Sequence, residues 1–210
     1  MTAGQRDDLE TISLAEQSDA AAVMLKRRSH RRFAEGEVPV QAFDYIQNCI
    51  DAGARTLGIR GATVLLETEP AKAAALCKAS TRGVIGRFGN PWMTRWPVHG
   101  FLTVCIDRAK SLERDGMSMA LVEAGMLMEL AVLAAAEKEI ASCWVAAIEM
   151  KGLGKLLELP PGVEVVSASP LGLPTAARRG LNFDYVLRRL VSSKRKPVEF
   201  FHTVDEVANE

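Results

Sequence analysis

With 210 residues and 48% hydrophobic composition, the chain can bury a substantial core, and its length permits one large domain or two small ones. Lys and Arg total 26, matching the 26 of Asp and Glu. No charge excess remains to drive counterion release along a nucleic acid, which excludes a general nucleic-acid binder. No apolar run reaches the roughly 20 residues that span a bilayer, and the acidic start Asp7-Asp8-Leu9-Glu10 is neither a secretory nor a transit signal. A cytoplasmic protein that does not enter the membrane is expected.

In chain order, Ser13 to Arg28 has helical composition, with Leu14, Ala21, Met24 and Leu25 near helical spacing. Lys26-Arg27-Arg28-Ser29-His30-Arg31-Arg32 follows, dense enough in cations to suit one bound phosphate; alone, it reads equally well as a solvated helix end. Pro39 opens a second helix whose apolar face is Phe43, Ile46, Cys49 and Ile50, with Gly53 as its stop. Thr63 to Glu67 reads as a strand, Pro70 to about Ala79 as a short helix, and Gly83 to Pro97 as a loop. That loop holds Trp92, Met93 and Trp96, which either cover a planar substrate as a lid or anchor the loop.

Phe101 to Ile106 is apolar or β-branched on both faces, the mark of a central strand. Gly116 to about Glu139 is apolar all round, so a helix there must be enclosed by the core or by a partner subunit. Ser142 to Ile148 reads as a strand, Lys151 to Leu157 as a helix, and Val163 to Ala168 as a strand ended by Pro170. Phe183 to Leu190 forms an amphipathic helix before a second basic cluster, Lys194-Arg195-Lys196-Pro197. Repeats and low-complexity linkers are absent, so one α+β domain over 1–210 is expected, with 1–12 and 203–210 as tails.

The four cysteines, Cys49, Cys77, Cys105 and Cys143, lack CxxC spacing and read as reduced and buried; a metal site is not expected. His30, His99 and His202 sit in no nucleophile or metal constellation, and no side chain is assigned a catalytic role.

Five segments occur in an order that resembles the FMN-dependent nitroreductase family. They are Arg27-Arg28-Ser29-His30-Arg31, Ala134-Ala135-Ala136-Glu137 running into Ser142-Cys143-Trp144-Val145, Leu156 to Val166 around Pro160-Pro161-Gly162, Leu171-Gly172-Leu173-Pro174, and Arg195-Lys196-Pro197-Val198-Glu199. The resemblance implies a mostly antiparallel central sheet wrapped by helices, a long buried helix at the core of a homodimer, and FMN at the subunit interface. It implies hydride transfer from NAD(P)H to a small oxidised acceptor, such as a nitroaromatic or quinone, by a ping-pong mechanism. Other flavin chemistry (dehalogenation, azoline dehydrogenation, flavin breakdown) and non-catalytic flavin binding are the alternatives.

By position, the cofactor-binding residues implied are Arg27, Arg28, Ser29, Arg31, Trp144, Val145, Ala146, Ala147, Arg195 and Lys196. Arg27 and Ser29, with Arg195 or Lys196, would hold the phosphate or ribityl chain. Arg31 would lie near the N1 and C2 oxygen end of the ring, where negative charge appears on hydride uptake. Trp144 and Val145 would pack near the ring face, with the backbone of Ala146 and Ala147 toward N5 and O4. The chain departs from the family at Thr56-Leu57-Gly58-Ile59-Arg60-Gly61, where a Ser-x-x-Asn-x-Gln-Pro segment usually contacts the ring, and at Glu139-Ile140-Ala141 in place of Gly-Leu-Gly.

Overall fold

Proline opens two of the helices in the computed structural model of the protein, which describes residues 19–82, 91–145 and 148–175. The chain there runs α1 (Asp19–Lys26), β1 (Phe33–Ala34), α2 (Val40–Leu57), β2 (Ala62–Glu67), α3 (Pro70–Ser80), a 3-10 turn (Pro91–Thr94) and β3 (Gly100–Asp107). It continues through β4 (Glu113–Arg114), β5 (Met117–Ser118), α4 (Ala120–Glu137), β6 (Ala141–Ser142), α5 (Met150–Leu156) and β7 (Val163–Pro174). Pro39 stands at the N-cap of α2 and Pro70 in the first turn of α3, where a missing N–H leaves no helical bond unmade. These residues fall within one compact unit, 18–175. The expected Phe183–Leu190 helix, the second basic cluster and both tails lie outside the described residues.

The main sheet has the order β1-β7-β3-β2, with β6 also on β7, and every strand pair in it is antiparallel. β3 is central, as its double-sided apolar sequence requires. Leu102, Val104 and Ile106 join one core with Phe43, Ile46 and Ile50 of α2 and Leu127, Met128 and Val132 of α4. Phe101 and Cys105 join a second core with Leu76 and Cys77 of α3, Leu153 of α5, Trp92 and Met93. Strand alternation thus splits the apolar residues into two layers. A hydrogen bond from Tyr45 Oη to Glu137 Oε2, 2.6 Å, ties α2 to α4 and raises the phenol pKa. Burial pushes the Cys105 thiol up to about 11 and raises that of Cys77 as well. Cys143 is also buried, whereas Cys49 is half-buried, and all four thiols are free.

Four boundaries differ from the sequence reading. Gly53 lies inside α2, where a Cβ would collide with Leu130 of α4, so it permits close helix packing. α2 ends instead at Gly58, whose φ of 65° suits a residue without Cβ. The expected long helix from Gly116 begins at Ala120, because Asp115 and Gly116, at φ 52° and 76°, form the tight turn joining β4 to β5. α4 is enclosed on one face, while Leu121 and Val122 are 51% and 52% exposed.

Third, the Ser142–Ile148 strand shortens to β6 and a single bridge, Val145 to Ala168. Finally, β7 runs through Pro170 to Pro174. Ala168 and Val145 exchange both main-chain bonds, 2.8 and 2.9 Å, so Ala168 and, two residues on, Pro170 turn their main-chain groups to the β6 edge. At Pro170 that edge has no ladder pair among the described residues, so the absent N–H leaves no pair there unmade.

Candidate functional site

The basic segment is tied to the sheet by its backbone. Ser29 forms a parallel bridge with Ser142, and His30 N–H donates to the Ser142 carbonyl at 2.8 Å. Ser142 begins the run to Trp144 and Val145, so the fold joins the two motifs that were separated by more than a hundred residues in sequence. Cys143 is fully buried, Val145 is buried at 8% exposure, and Trp144 between them is 37% exposed. Cys143 N–H donates to Ser169 Oγ at 3.1 Å, which fixes the main chain where Trp144 projects.

The cations of the segment have distinct surroundings. Lys26 pairs with Glu139 at 3.5 Å with both side chains largely exposed, an interaction worth little. Arg28 Nη1 donates to the carbonyls of Leu25 and Arg27, which assigns this residue to the end of α1 and its dipole. Arg27 is half-buried, and its buried Nε has no hydrogen-bond partner among the described residues. Arg31 Nη1 reaches the Ser29 carbonyl at 3.4 Å, and its guanidinium lies 6.0 Å from the centre of the Trp92 ring. Arg32 lies 5.6 Å from the centre of the Trp96 ring.

Trp92 and Met93 are buried at 5% and 1%, so they anchor their turn in the second core, as one of the two sequence readings held. Residues 83–90 of the same loop lie outside the described residues, as do Ala146, Ala147, Arg195 and Lys196. The His99 ring is buried and its Nε2 lies 2.9 Å from the Gly36 carbonyl, a contact that supports the turn after β1. Among the described residues no group of His, Cys, Asp and Glu could hold a metal ion, and no helix is long and apolar enough to cross a membrane.

One polar group escaped the sequence reading. Glu123, in the first turn of α4, accepts from the backbone N–H of Gly61 at 2.6 Å and of Arg60 at 3.2 Å. Thus the segment that departs from the family's ring-contacting motif is held by a carboxylate. An acid in the first turn of a largely apolar helix was the available signal.

His30 is half-buried. Its burial first, then the charges of Arg27 and Arg28, depress its pKa below the ordinary 6.5. The unfolded chain then takes up a proton at a higher pH than the folded one. The contribution to stability is therefore complete above pH 6.5 and lost as the pH falls through the depressed folded value. Between neutral pH and mild acid, denaturant midpoints should decline less in His30→Gln than in the unaltered protein; equal declines would remove His30 from the account.

Gly172 of β7 supports the segment from below. A Cβ there would stand 2.8 Å from Cγ and Cδ1 of the buried Phe33 ring. Gly172→Ala should cost about 1–3 kcal/mol, the usual range for overpacking, and Phe33→Leu in the same chain should recover part of it. An unchanged urea midpoint in the single variant would refute that contact.

The donor set fits an organic phosphate. A half-buried guanidinium with an orphaned Nε, a neighbouring serine hydroxyl and a second arginine are the charge-assisted donors that such a group requires out of water.

Known proteins share this architecture. The model of the Nitroreductase family matches residues 65–173, from β2 to the end of β7. A nitroreductase family protein from Clostridium novyi NT superposes with a TM-score of 0.64 at 17% identity, covering 76% of this chain and 87% of its own. One from Clostridium difficile 630 gives 0.63 at 17% identity over 90% and 99%. An FMN-dependent nitroreductase from Clostridium difficile R20291 gives 0.59 at 18% identity over 85% and 98%. No curated protein matches in sequence. The structural likenesses bear on the fold; the match over β2 to β7, more than half of the chain, bears on descent, and by it this chain belongs to the nitroreductase family.

Proposed function

We propose that the protein is a cytoplasmic homodimeric oxidoreductase that binds FMN at the basic segment and uses NAD(P)H to reduce a small oxidised acceptor, such as a nitroaromatic or a quinone. The observation that carries this reading is the Ser29–Ser142 bridge, which joins an arginine with an orphaned Nε to the segment leading to Trp144 and Val145. When bound, FMN would supply the redox chemistry, hydride transfer between the nicotinamide and the acceptor.

The residues of the chain hold and orient. Arg27 and Ser29 would bind the phosphate. Arg31, braced by the Ser29 carbonyl and the Trp92 ring, supplies a fixed cation to the pyrimidine end of the ring system, where charge develops. Trp144 and Val145 would pack toward the ring face. The exposed Leu121, Val122 and Met126 of α4 offer an apolar surface to a second copy. So does a hollow of about 610 Å³ lined by Val23, Met24, Leu130 and Leu133. Both support the dimer.

The Glu123 contacts favour a second reading within flavoproteins. With the backbone donors of Arg60 and Gly61 engaged internally, ring contacts differ from the family pattern, which suits dehalogenation, azoline dehydrogenation, flavin breakdown or flavin binding without turnover. The deciding experiment is the visible spectrum of the purified protein, followed by anaerobic addition of NADH and then NADPH. A flavin band at roughly 440 to 460 nm that bleaches with either donor supports the reductase. A band indifferent to both donors supports flavin binding without turnover, and a colourless protein that cannot be reconstituted with FMN overturns both readings.

A further inference from the structure

Of the five cations in the Lys26–Arg32 segment, four have duties above: Lys26 with Glu139, Arg28 at the end of α1, and Arg27 and Arg31 in the proposed FMN site. Arg32 is the one left over. Its guanidinium lies over Trp96, 5.6 Å from the ring centre, and among the described residues it makes no hydrogen bond or ion pair.

Two features make this pair more than a surface contact. Trp96 remains 38% exposed although it lies four residues after the buried Trp92, so part of a large aromatic side chain is left in water. Both partners are also held from behind. Arg32 immediately precedes Phe33, which is 3% exposed and paired with Pro174 in the sheet. Trp96 follows a turn closed by the Arg95 N–H to the Trp92 carbonyl at 3.1 Å. A guanidinium lying on an indole keeps its N–H edge available for a forked pair with a carboxylate or phosphate. The ring beside it provides a stacking surface for a planar group.

We infer that Arg32 and Trp96 form a subsite for an aromatic ligand carrying an anionic substituent. Its place in turnover rests on the FMN assignment above, because Arg32 adjoins Arg31 in the chain. The anion has two possible sources, a carboxylate on the acceptor or a phosphate on the adenosine half of the nicotinamide donor. The shared requirement is an aromatic ring with a negative charge at its edge.

The test uses the purified full chain. Tryptophan fluorescence quenching, without donor, gives the affinity for 4-nitrobenzoate and for 4-nitrobenzyl alcohol, which differ in charge but share the nitro ring. The FMN-loaded protein gives kcat/KM for NADPH and NADH. The unaltered protein should prefer 4-nitrobenzoate about tenfold, the scale of one charge-assisted pair at a partly exposed site. Arg32→Gln should bring the two probes within about twofold of each other, Trp96→Phe should keep the preference, and Trp96→Leu should weaken both.

If instead the unaltered protein prefers NADPH to NADH and Arg32→Gln removes only that preference, the subsite stands and belongs to the donor phosphate. If Arg32→Gln changes neither ratio, the subsite is overturned. A protein that binds no FMN would refute the proposed function, yet the quenching comparison would still decide this subsite.

Discussion

Arg27→Gln is expected to weaken FMN binding about a hundredfold, read by titrating free FMN fluorescence with apoprotein. Each charge-assisted hydrogen bond to a phosphate contributes about 1.5–3 kcal/mol, and a half-buried guanidinium can supply two in fork geometry. The buried Nε of Arg27, unpartnered among the described residues, is a desolvated donor that a phosphate oxygen would satisfy. Arg28 provides the control, because its Nη1 already serves the carbonyls of Leu25 and Arg27 at the end of α1. Arg28→Gln should therefore change the affinity less than about threefold, the range of a surface charge. Equal losses in the two variants would mean that the segment attracts FMN by net charge alone, and the assignment of Arg27 would fall.

Phe101→Ala should cost about 3–5 kcal/mol, read from denaturant midpoints at constant slope. Phe101 has no exposed surface and lies on the central strand in the core that also holds Trp92, Met93 and Val145. β3 is bonded on both edges, so the backbone has little freedom to collapse around the vacated space. A loss below about 1 kcal/mol would show that the neighbouring side chains refill the gap, contrary to the packing described. Because Val145 shares that core, the variant should also lower FMN affinity, an effect absent from a similarly buried substitution in the other core, Leu127→Ala.

The candidate site was legible in part. Arg27, Ser29, Arg31, Trp144 and Val145 came from motif order, and the fold connects their two segments through Ser142. The partners that brace them were not legible. Trp92 beneath Arg31 and Glu123 beneath Gly61 are each sixty or so residues distant in sequence, and no local pattern marks such a pair.

By itself the sequence determined what depends on neighbours along the chain. The apolar face of α2, the prolines that open α2 and α3, and the two-sided apolar run of β3 follow from side-chain period and backbone sterics, which act within a turn or a strand. Tertiary structure decided the rest. Gly53 continues a helix because Leu130 needs its space, Pro170 continues a strand because its edge has no partner there, and only one face of α4 is covered. It also decided what surrounds each of the crowded cations. Lys26, Arg28 and Arg32 look alike in sequence, yet a distant carboxylate, a helix end and an indole ring give them different surroundings, and electrostatic role is set by surroundings.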